Sequence, residues 1–488
     1  MALSNHILTI IEPSIKLDEY SVLSFKEEEG QSNISDGLGA ETPLVIVNGY
    51  AFTHKDIQTL EVDVCGTIPR ISVSLVDTQG YFGVDTFPRD GDVLTLRIAA
   101  LQKDLYKDIH IDFDLDDVQS PPQNTVKRGL AGKYSFTGTM KVPTLYAEVC
   151  KNYPKGTSLD HLQAIASELG LGFATNIDTA DDSMNMLIAN DSIMDSIQKR
   201  VEHSYVNEDS FQTFSIDPYY YLNYVNYNDL INSEEDFEEI KVNFTQNLAD
   251  LPSSENDVNE TEAPLVFTTH SNASGLNSHI VSYSLINRSG KAAKLNGYKK
   301  TLQYFENDSE EGLVSFEQEP LTSKSLKDIE EPLKGRRDEE RYKSEVKVKY
   351  MGRIDTDPET ANTHINHNFA RLHNKQNMDE LQKMVLEIQL GAFHPAIHRY
   401  QKIPVFIYSE TQNTVQADKQ IKEKKGENFD TSPPAPENGV ESASALDDFL
   451  SGFYVIGGIK YKYKNGEGFK QSLTLYRREW PSRINNIG

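Results

Sequence analysis

The sequence predicts a mainly β protein with α+β insertions, arranged as two antiparallel, tube-like β-barrel domains that flank a mixed middle region. Three observations predict it. Residues 453–476 spell a long hairpin, residues 42–150 carry a dense run of alternating strands, and helical periodicity appears chiefly between those two stretches. In the hairpin, Phe453, Val455, Ile459, Tyr461 and Tyr463 fall on one face and Lys460, Lys462 and Lys464 on the other, the two-residue period of a half-buried strand. Asn465-Gly466-Glu467-Gly468 supplies the positive φ angles of a tight reversal, after which Phe469, Leu473 and Leu475 resume the apolar face against Lys470, Ser472 and Thr474.

Taken in order, residues 1–41 are polar, acidic around Glu27-Glu28-Glu29 and interrupted by Gly37 and Gly39, which reads as an N-terminal arm. The first β-barrel domain is expected over 42–150, from strand signals at 44–47, 60–64, 71–75, 93–98, 109–115 and 134–142. The clearest of these alternates Ile109, Ile111, Phe113 and Leu115 with His110, Asp112, Asp114 and Asp116, predicting one buried and one strongly anionic face. Gly and Pro punctuation such as Phe87-Pro88-Arg89-Asp90-Gly91 favours an antiparallel barrel or sandwich.

An α+β domain is expected over 151–235. Thr157 caps a helix whose Leu159, Leu162, Ile165, Ala166 and Leu169 line one side, with Asp160 in the first turn and Gly170 as the stop. A second helix is predicted over 192–203 on Ile193, Ile197 and Val201. Tyr205, Phe211, Phe214, Tyr219, Tyr220, Tyr221, Tyr224 and Tyr227 then crowd one stretch, enough aromatic area either to bury or to form an interface. Residues 236–345 read as a β-containing insertion with charged loops, with strands at 265–268, 280–286 and 298–305. The second β-barrel domain is expected over 346–488: a strand through Val346, Val348 and Tyr350, a helix near 359–376, strands at 384–390 and 403–408, a mobile loop over 411–447 containing Pro433-Pro434-Ala435-Pro436, and the closing hairpin.

Composition narrows the function. A chain of 488 residues has room for several domains, and 74 acidic against 48 basic residues give a net charge of −26, which opposes free association with nucleic-acid phosphates. Cys65 and Cys150 are too few for a disulfide framework and fit a reducing compartment. The Ile7-Leu8-Thr9-Ile10-Ile11 patch lacks the basic lead-in and apolar length of a secretion signal, and no apolar run approaches the roughly 18 residues that cross a bilayer. A soluble chain with no membrane partner is expected.

No catalytic constellation emerges. Asp112, Asp114 and Asp116 resemble the start of a calcium loop, but the sixth and twelfth positions hold Asp117 and Gln123 where Gly and Glu are needed. His364, His367, His373, His394 and His398 form the densest histidine group, yet they lack the H-E-x-x-H arrangement, so surface or packing roles are expected and no metal site is predicted. No G-x-S-x-G elbow is present, and the cysteines read as small buried thiols. Gly170-Leu171-Gly172 follows a helix and lacks the third glycine of a dinucleotide motif. No cofactor and no enzymatic activity are expected. Two readings stand beside a structural one: a cell-wall-degrading enzyme, and a carbohydrate-binding adhesin using the Tyr219–Tyr227 aromatics as a sugar platform.

Residues 134–146 (YSFTGTMKVPTLY), 156–176 (GTSLDHLQAIASELGLGFATN), 214–226 (FSIDPYYYLNYVN) and 452–459 (GFYVIGGI) with its return strand resemble the baseplate hub proteins of contractile-tailed bacteriophages, and are similar to the hub half of VgrG spike proteins. The resemblance spans roughly 42–230 and 345–480 by pattern and is structural in kind. It implies a homotrimeric virion protein of the tail baseplate, assembled in the host bacterial cytoplasm. In that role each chain gives two barrels to a ring, so that a hexameric tail tube sits on one face and a trimeric spike on the other. DNA or tape measure protein would pass through the lumen without specific binding, past acidic strand faces such as Asp112, Asp114 and Asp116.

Overall fold

The computed structural model describes residues 6–15, 43–82, 87–89, 91–98, 107–120, 132–234, 236, 267–269, 279–284, 300–305, 313–318, 344–347, 363–381, 385–390, 393, 396–407 and 452–477. In chain order the strands are β1 (Leu8–Ile11), β2 (Leu44–Val47), β3 (Tyr50–Phe52), β4 (Ile57–Asp63), β5 (Arg70–Asp77), β6 (Val93–Ile98), β7 (Ile109–Gln119), β8 (Gly132–Met140), β9 (Glu148–Gly156), β10 (Gly172–Thr175), β11 (Met184–Ser192), β12 (Gln212–Ile216) and β13 (Tyr221–Asn226). They continue with β14 (Phe267–Thr269), β15 (His279–Ser284), β16 (Lys300–Phe305), β17 (Leu313–Gln318), β18 (Ser344–Lys347), β19 (Val385–Leu390), β20 (Lys402–Ile407), β21 (Gly452–Lys464) and β22 (Gly468–Tyr476). The helices are α1 (Ser158–Leu169), α2 (Ile193–Glu202), α3 (Tyr227–Asn232) and α4 (His367–Leu381).

The protein is mainly β, and its principal element is a curled sheet of 13 strands. The path runs β15-β19-β22-β21-β4-β5-β8-β7-β6-β2-β3, with β20 added on β21 and β14 on β20. All pairs are antiparallel except β14 with β20. The two expected barrel units therefore share one hydrogen-bonded sheet. Lys460 to Lys464 of β21 pair with Asp63 to Thr59 of β4, which removes one open edge from each half. Alternation fixes which face is buried: β5 reads exposed–buried throughout, and Leu60, Val62, Ile71, Val73, Leu96, Phe113, Phe136, Ile459 and Leu473 converge on one core.

Against this core lies the α+β region. A four-stranded sheet runs β1-β10-β13-β12, in which β10 and β13 are parallel, while β9 and β11 form a separate two-stranded ribbon. Helix α1 starts as expected, with Thr157 and Asp160 in a reciprocal capping box, and ends at Gly170 with φ 72°. Helix α2 is capped by Ser192 onto the Asp195 amide and buries Ile193, Ile197 and Val201.

Three expectations are corrected. The N-terminal arm is not wholly peripheral: β1 pairs with β10 and Ile7 is buried, because the β-branched Ile7–Ile11 patch fits a sheet edge despite its polar flanks. The charged loops expected within 236–345 contain a further strand, β17, which pairs with β16 on the side opposite β18, itself the strand expected through Val346. Helix α4 runs to Leu381, beyond the expected end near 376. The loop 411–447 lies outside the described residues. Among the described residues, no helix is long and apolar enough to cross a membrane.

Candidate functional site: the seam where three parts of the chain meet

Strand β21 changes partner along its length. Gly452 to Val455 pair with Val405 to Lys402 of β20, whereas Lys460 to Lys464 pair with β4. Between these segments the ladder to β22 slips by a bulge at Ile456–Gly458. Both glycines there are required by close approach: a Cβ on Gly457 would lie 1.8 Å from Tyr476 Cε2, and one on Gly458 would lie 2.6 Å from Cys65 Sγ and 2.9 Å from its Cα. Backbone bonds tie the neighbours together, from Val64 N to Ile459 O (2.8 Å), Tyr400 N to Ile456 O (2.8 Å), Ile456 N to Gln401 O (2.9 Å) and Ile216 N to Thr67 O (2.7 Å). Arg399 adds guanidinium bonds to the carbonyls of Val64 (3.3 Å) and Gly66.

A cavity of about 20 Å3 lies at this seam, lined in part by Val64, Asp217, Tyr219, Asn223, Arg399 and Ile459. That volume admits one water molecule and no metabolite. Asp217 organises the β12–β13 turn: Oδ1 accepts the amides of Tyr219 (2.8 Å) and Tyr221 (3.0 Å), and Oδ2 accepts Asn223 Nδ2 (3.0 Å). Burial pushes its pKa up to about 6 against the pull of these donors. Tyr220 and Tyr400 hold left-handed backbone, φ 65° and 72°, which is uncommon for bulky residues. Each is fixed at both ends. Tyr220 Oη accepts the Asp112 amide (3.0 Å) while its carbonyl takes Gly172 N (2.9 Å), and Tyr400 Oη meets Ser215 Oγ (2.8 Å).

The aromatic run serves burial and not display. Tyr220, Tyr221, Tyr224 and Tyr227 are 4%, 4%, 0% and 1% exposed, and Tyr227 packs on Tyr400 and Tyr476 at 5.6 and 6.5 Å between centroids. A sugar platform at Tyr219–Tyr227 is thereby corrected: these rings fill the core where β13 crosses beneath the main sheet.

The acidic strand is only partly an anionic surface. Asp112 is buried and accepts Thr95 Oγ1 at 2.6 Å, so its strand neighbour in β6 covers it. Asp114 and Asp116 are exposed; the former lies 3.8 Å from Lys141 and the latter accepts Thr139 Oγ1 at 2.8 Å. The lysine row of β21 faces acids of β4, Lys460 reaching Asp63 at 3.0 Å and Glu61 at 3.6 Å. At the hairpin tip Glu467 pairs with Lys464 and with Lys470 (2.9 Å).

Periodicity gives no signal for a buried ionic node beneath α1. Arg200 and Asp182, both under 2% exposed, pair at 3.3 Å. Asp182 also accepts the amides of Ser158 (2.9 Å) and Tyr205 (3.0 Å), and Arg200 Nε donates to His161 Nδ1 (3.1 Å). That donor fixes the His161 proton on Nε2, which donates to the Pro154 carbonyl (2.9 Å). Burial, reinforced by the guanidinium, pushes the His161 pKa down. Ser158 Oγ bonds Tyr224 Oη (3.0 Å), so this Ser, His and Asp form no nucleophile–base relay.

The expected histidine group is divided. His364 and His367 gather with His203, His373 stacks on Phe369 (5.1 Å), His398 sits edge-on to Tyr219 (5.8 Å), and His394 is outside the described residues. Among the described residues no group of His, Cys, Asp or Glu has the arrangement to hold a metal ion. Cys65 is half-buried in the seam and burial pushes its pKa up to about 11, whereas Cys150 is exposed, which corrects the expectation of two buried thiols. Gly170 is the α1 C-cap and Gly172 opens β10, where a Cβ would meet the Tyr221 ring at 2.4 Å, a packing role.

No protein-family model and no curated protein matches the chain. Among solved structures, it is similar to the tail protein from Neisseria meningitidis MC58, at 7% identity over 90% of this chain and 97% of that one, with a TM-score of 0.45. It is likewise similar to the 43 kDa tail protein of prophage MuSo2 from Shewanella oneidensis, at 8% identity over 91% and 99%, TM-score 0.45. A third likeness is to an E. coli component of the type VI secretion system, at 8% identity over 92% of this chain and 79% of that one, TM-score 0.38.

Proposed function

We propose that this chain is a non-enzymatic structural protein of a phage tail baseplate, the central hub that joins the tail tube to the spike and lines the channel between them. One observation carries the reading: strands from opposite ends of a 488-residue chain merge into a single curled sheet through β4 and β21. Such a sheet is backed by one continuous core. On this reading its N-terminal half and its C-terminal half supply the two barrel units that the sequence resemblance implies.

Among the described residues the main ladder ends at β3 and at β15; on this reading copies associate head to tail through such unlike borders, and a closed ring of three presents six such halves. On this reading the partners are two further copies, tube and baseplate proteins on one face, the spike on the other, and DNA or tape measure protein in transit. The protein resides in the virion tail and is assembled in the host cytoplasm. Among the described residues the seam cavity is water-sized and the histidines are divided, which favours the structural reading over the cell-wall-degrading alternative, and burial of Tyr220, Tyr221, Tyr224 and Tyr227 removes the platform of the adhesin alternative.

Native mass measurement with low-resolution imaging of the purified protein tests the proposal. An annular three-chain particle is the expected result. A stable monomer that cleaves cell wall in a turbidity assay overturns it.

A further inference from the structure

Helix α2 ends on His203, its C-cap residue, and the chain segment that begins α4 arrives from more than 160 positions away to meet it. The His203 and His367 rings stack at 3.7 Å with 9° between planes, and His364 stands edge-on to His367 at 5.5 Å and 76°. The two segments exchange hydrogen bonds. His203 Nδ1 donates to the His367 carbonyl (3.0 Å), and His364 Nε2 donates to the His203 carbonyl (2.7 Å), each assignment following from the carbonyl being an acceptor alone. Ring lone pairs lie in the ring planes, and two parallel planes stacked face to face do not converge on a common centre, which suits a packed joint and not a metal.

We propose that His203, His364 and His367 form an acid-sensitive latch that holds the start of α4 on the end of α2 while the rings are neutral and releases it when they charge. The stack is stable only if at least one ring is uncharged, since two imidazolium ions at this spacing repel in a half-buried site. The surrounding carboxylates offer only partial relief: Asp181 and Asp182 favour a charged His364 and Glu202 a charged His203, and burial outweighs them. On α2, Arg200 is cationic and Glu202 is engaged by Arg371 of α4 at 3.5 Å; before β11, Asp182 is committed to Arg200, and Asp181 is exposed to solvent. Burial is the main influence on all three rings, pushing His203 down to about 4 and His367 to about 2, with Arg371 and the neighbouring rings acting in the same direction, and His364 down as well.

The sign follows. Each ring binds its proton less readily latched than released, so the latched state is fully favoured above the ordinary imidazole range and loses ground as pH falls through and below about 6.5. Each depressed ring weakens the latch by up to about tenfold per pH unit over that window. Asn374 is the neutral part of the joint: its Nδ2 donates to the Ser204 carbonyl (2.8 Å) and to the last carbonyls of α2, and it does not titrate. Because α4 precedes β19 of the main sheet, release would loosen one of the joints between the α+β region and the C-terminal strands, the Ser215–Tyr400 bond and the packing of Tyr227 on Tyr400 and Tyr476 remaining.

Hydrogen exchange of the full chain from about pH 7.5 to about pH 5, corrected for intrinsic rates, reads the latch directly. Peptides covering 193–204 and 363–374 are expected to lose protection steeply below pH 6.5, by up to about tenfold per pH unit for each of the three rings, while β4 and β5 keep theirs. The double variant His203→Phe with His367→Phe keeps a ring stack that cannot charge and leaves only His364 to titrate, so the pH dependence of its protection should fall to that of a single ring. His367→Phe alone should give a logarithmic slope between those of the wild-type chain and the double variant, which decides the matter if the double variant does not fold. Unchanged protection in the wild-type chain at low pH, or an equal acid response in the variants, overturns the latch.

Discussion

Cys65 and Gly458 pack so closely that a methyl group on the glycine would fall 2.6 Å from the sulfur and 2.8 Å from the cysteine Cβ. Gly458→Ala should therefore destabilise the chain by about 1–3 kcal/mol, the ordinary range for overpacking, and a Cys65→Ala background should not rescue it, because the clash with the Cβ and backbone of residue 65 remains. The three atoms nearest a Cβ on Gly457 all belong to the Tyr476 ring, so the cost of Gly457→Ala should largely vanish in a Tyr476→Ala background. Denaturant midpoints of the four single and two double variants measure both couplings.

The same burial makes Cys65 chemically quiet. Its thiol is pushed up to about 11, first by desolvation and then by the Asp63 carboxylate, which accepts the Cys65 amide at 2.8 Å. Only the thiolate is nucleophilic, so near pH 8 the reactive fraction is on the order of one in a thousand. Alkylation of the native chain followed by peptide mass analysis should mark exposed Cys150 and spare Cys65 until the pH approaches 11 or the chain unfolds. Equal labelling of both at neutral pH would show that the seam opens readily.

Replacing one member of the Arg200–Asp182 pair should be among the most damaging single changes in the α+β region. Asp182→Ala strands a buried guanidinium and the amides of Ser158 and Tyr205, and a cost of about 3–5 kcal/mol is expected. Arg200→Met with Asp182→Leu should cost less than Asp182→Ala despite altering two residues, since no buried charge remains unpaired. Urea unfolding of the variants tests the ordering, and a double variant worse than the single one contradicts it.

Local chemistry is legible in the chain; long-range pairing is not. Thr157, Asp160 and Gly170 lie within one helix, so their capping roles can be read from spacing, as can Ser192 with Ile193, Ile197 and Val201. Alternation identifies β4 and β21 as strands with one apolar face, but their partnership joins residues about 400 positions apart, and period alone does not name a neighbour. Asp112 reads as exposed as Asp114 because strand parity assigns a face and says nothing of the Thr95 hydroxyl that covers it. His203 escapes notice beside His364 and His367 for the same reason, and the sequence offers only the clue that its polar ring ends an amphipathic helix.

Charge reversal at Asp114 and Asp116 tests the channel role separately from folding. Both carboxylates are exposed, and the 3.8 Å approach of exposed Lys141 is worth at most about 1 kcal/mol, so Asp114→Lys with Asp116→Lys should leave stability and assembly nearly unchanged. Asp112 must be left intact, because its buried carboxylate holds Thr95 and a lysine there would be an unpaired interior charge. An acidic wall repels passing phosphates and keeps them mobile, whereas a basic patch lets DNA dwell through contacts that release counterions. Particles carrying the double variant should therefore eject DNA more slowly, and the purified protein should gain DNA binding that weakens steeply with salt. Normal ejection from correctly assembled variant particles would mean that this strand faces away from the DNA path.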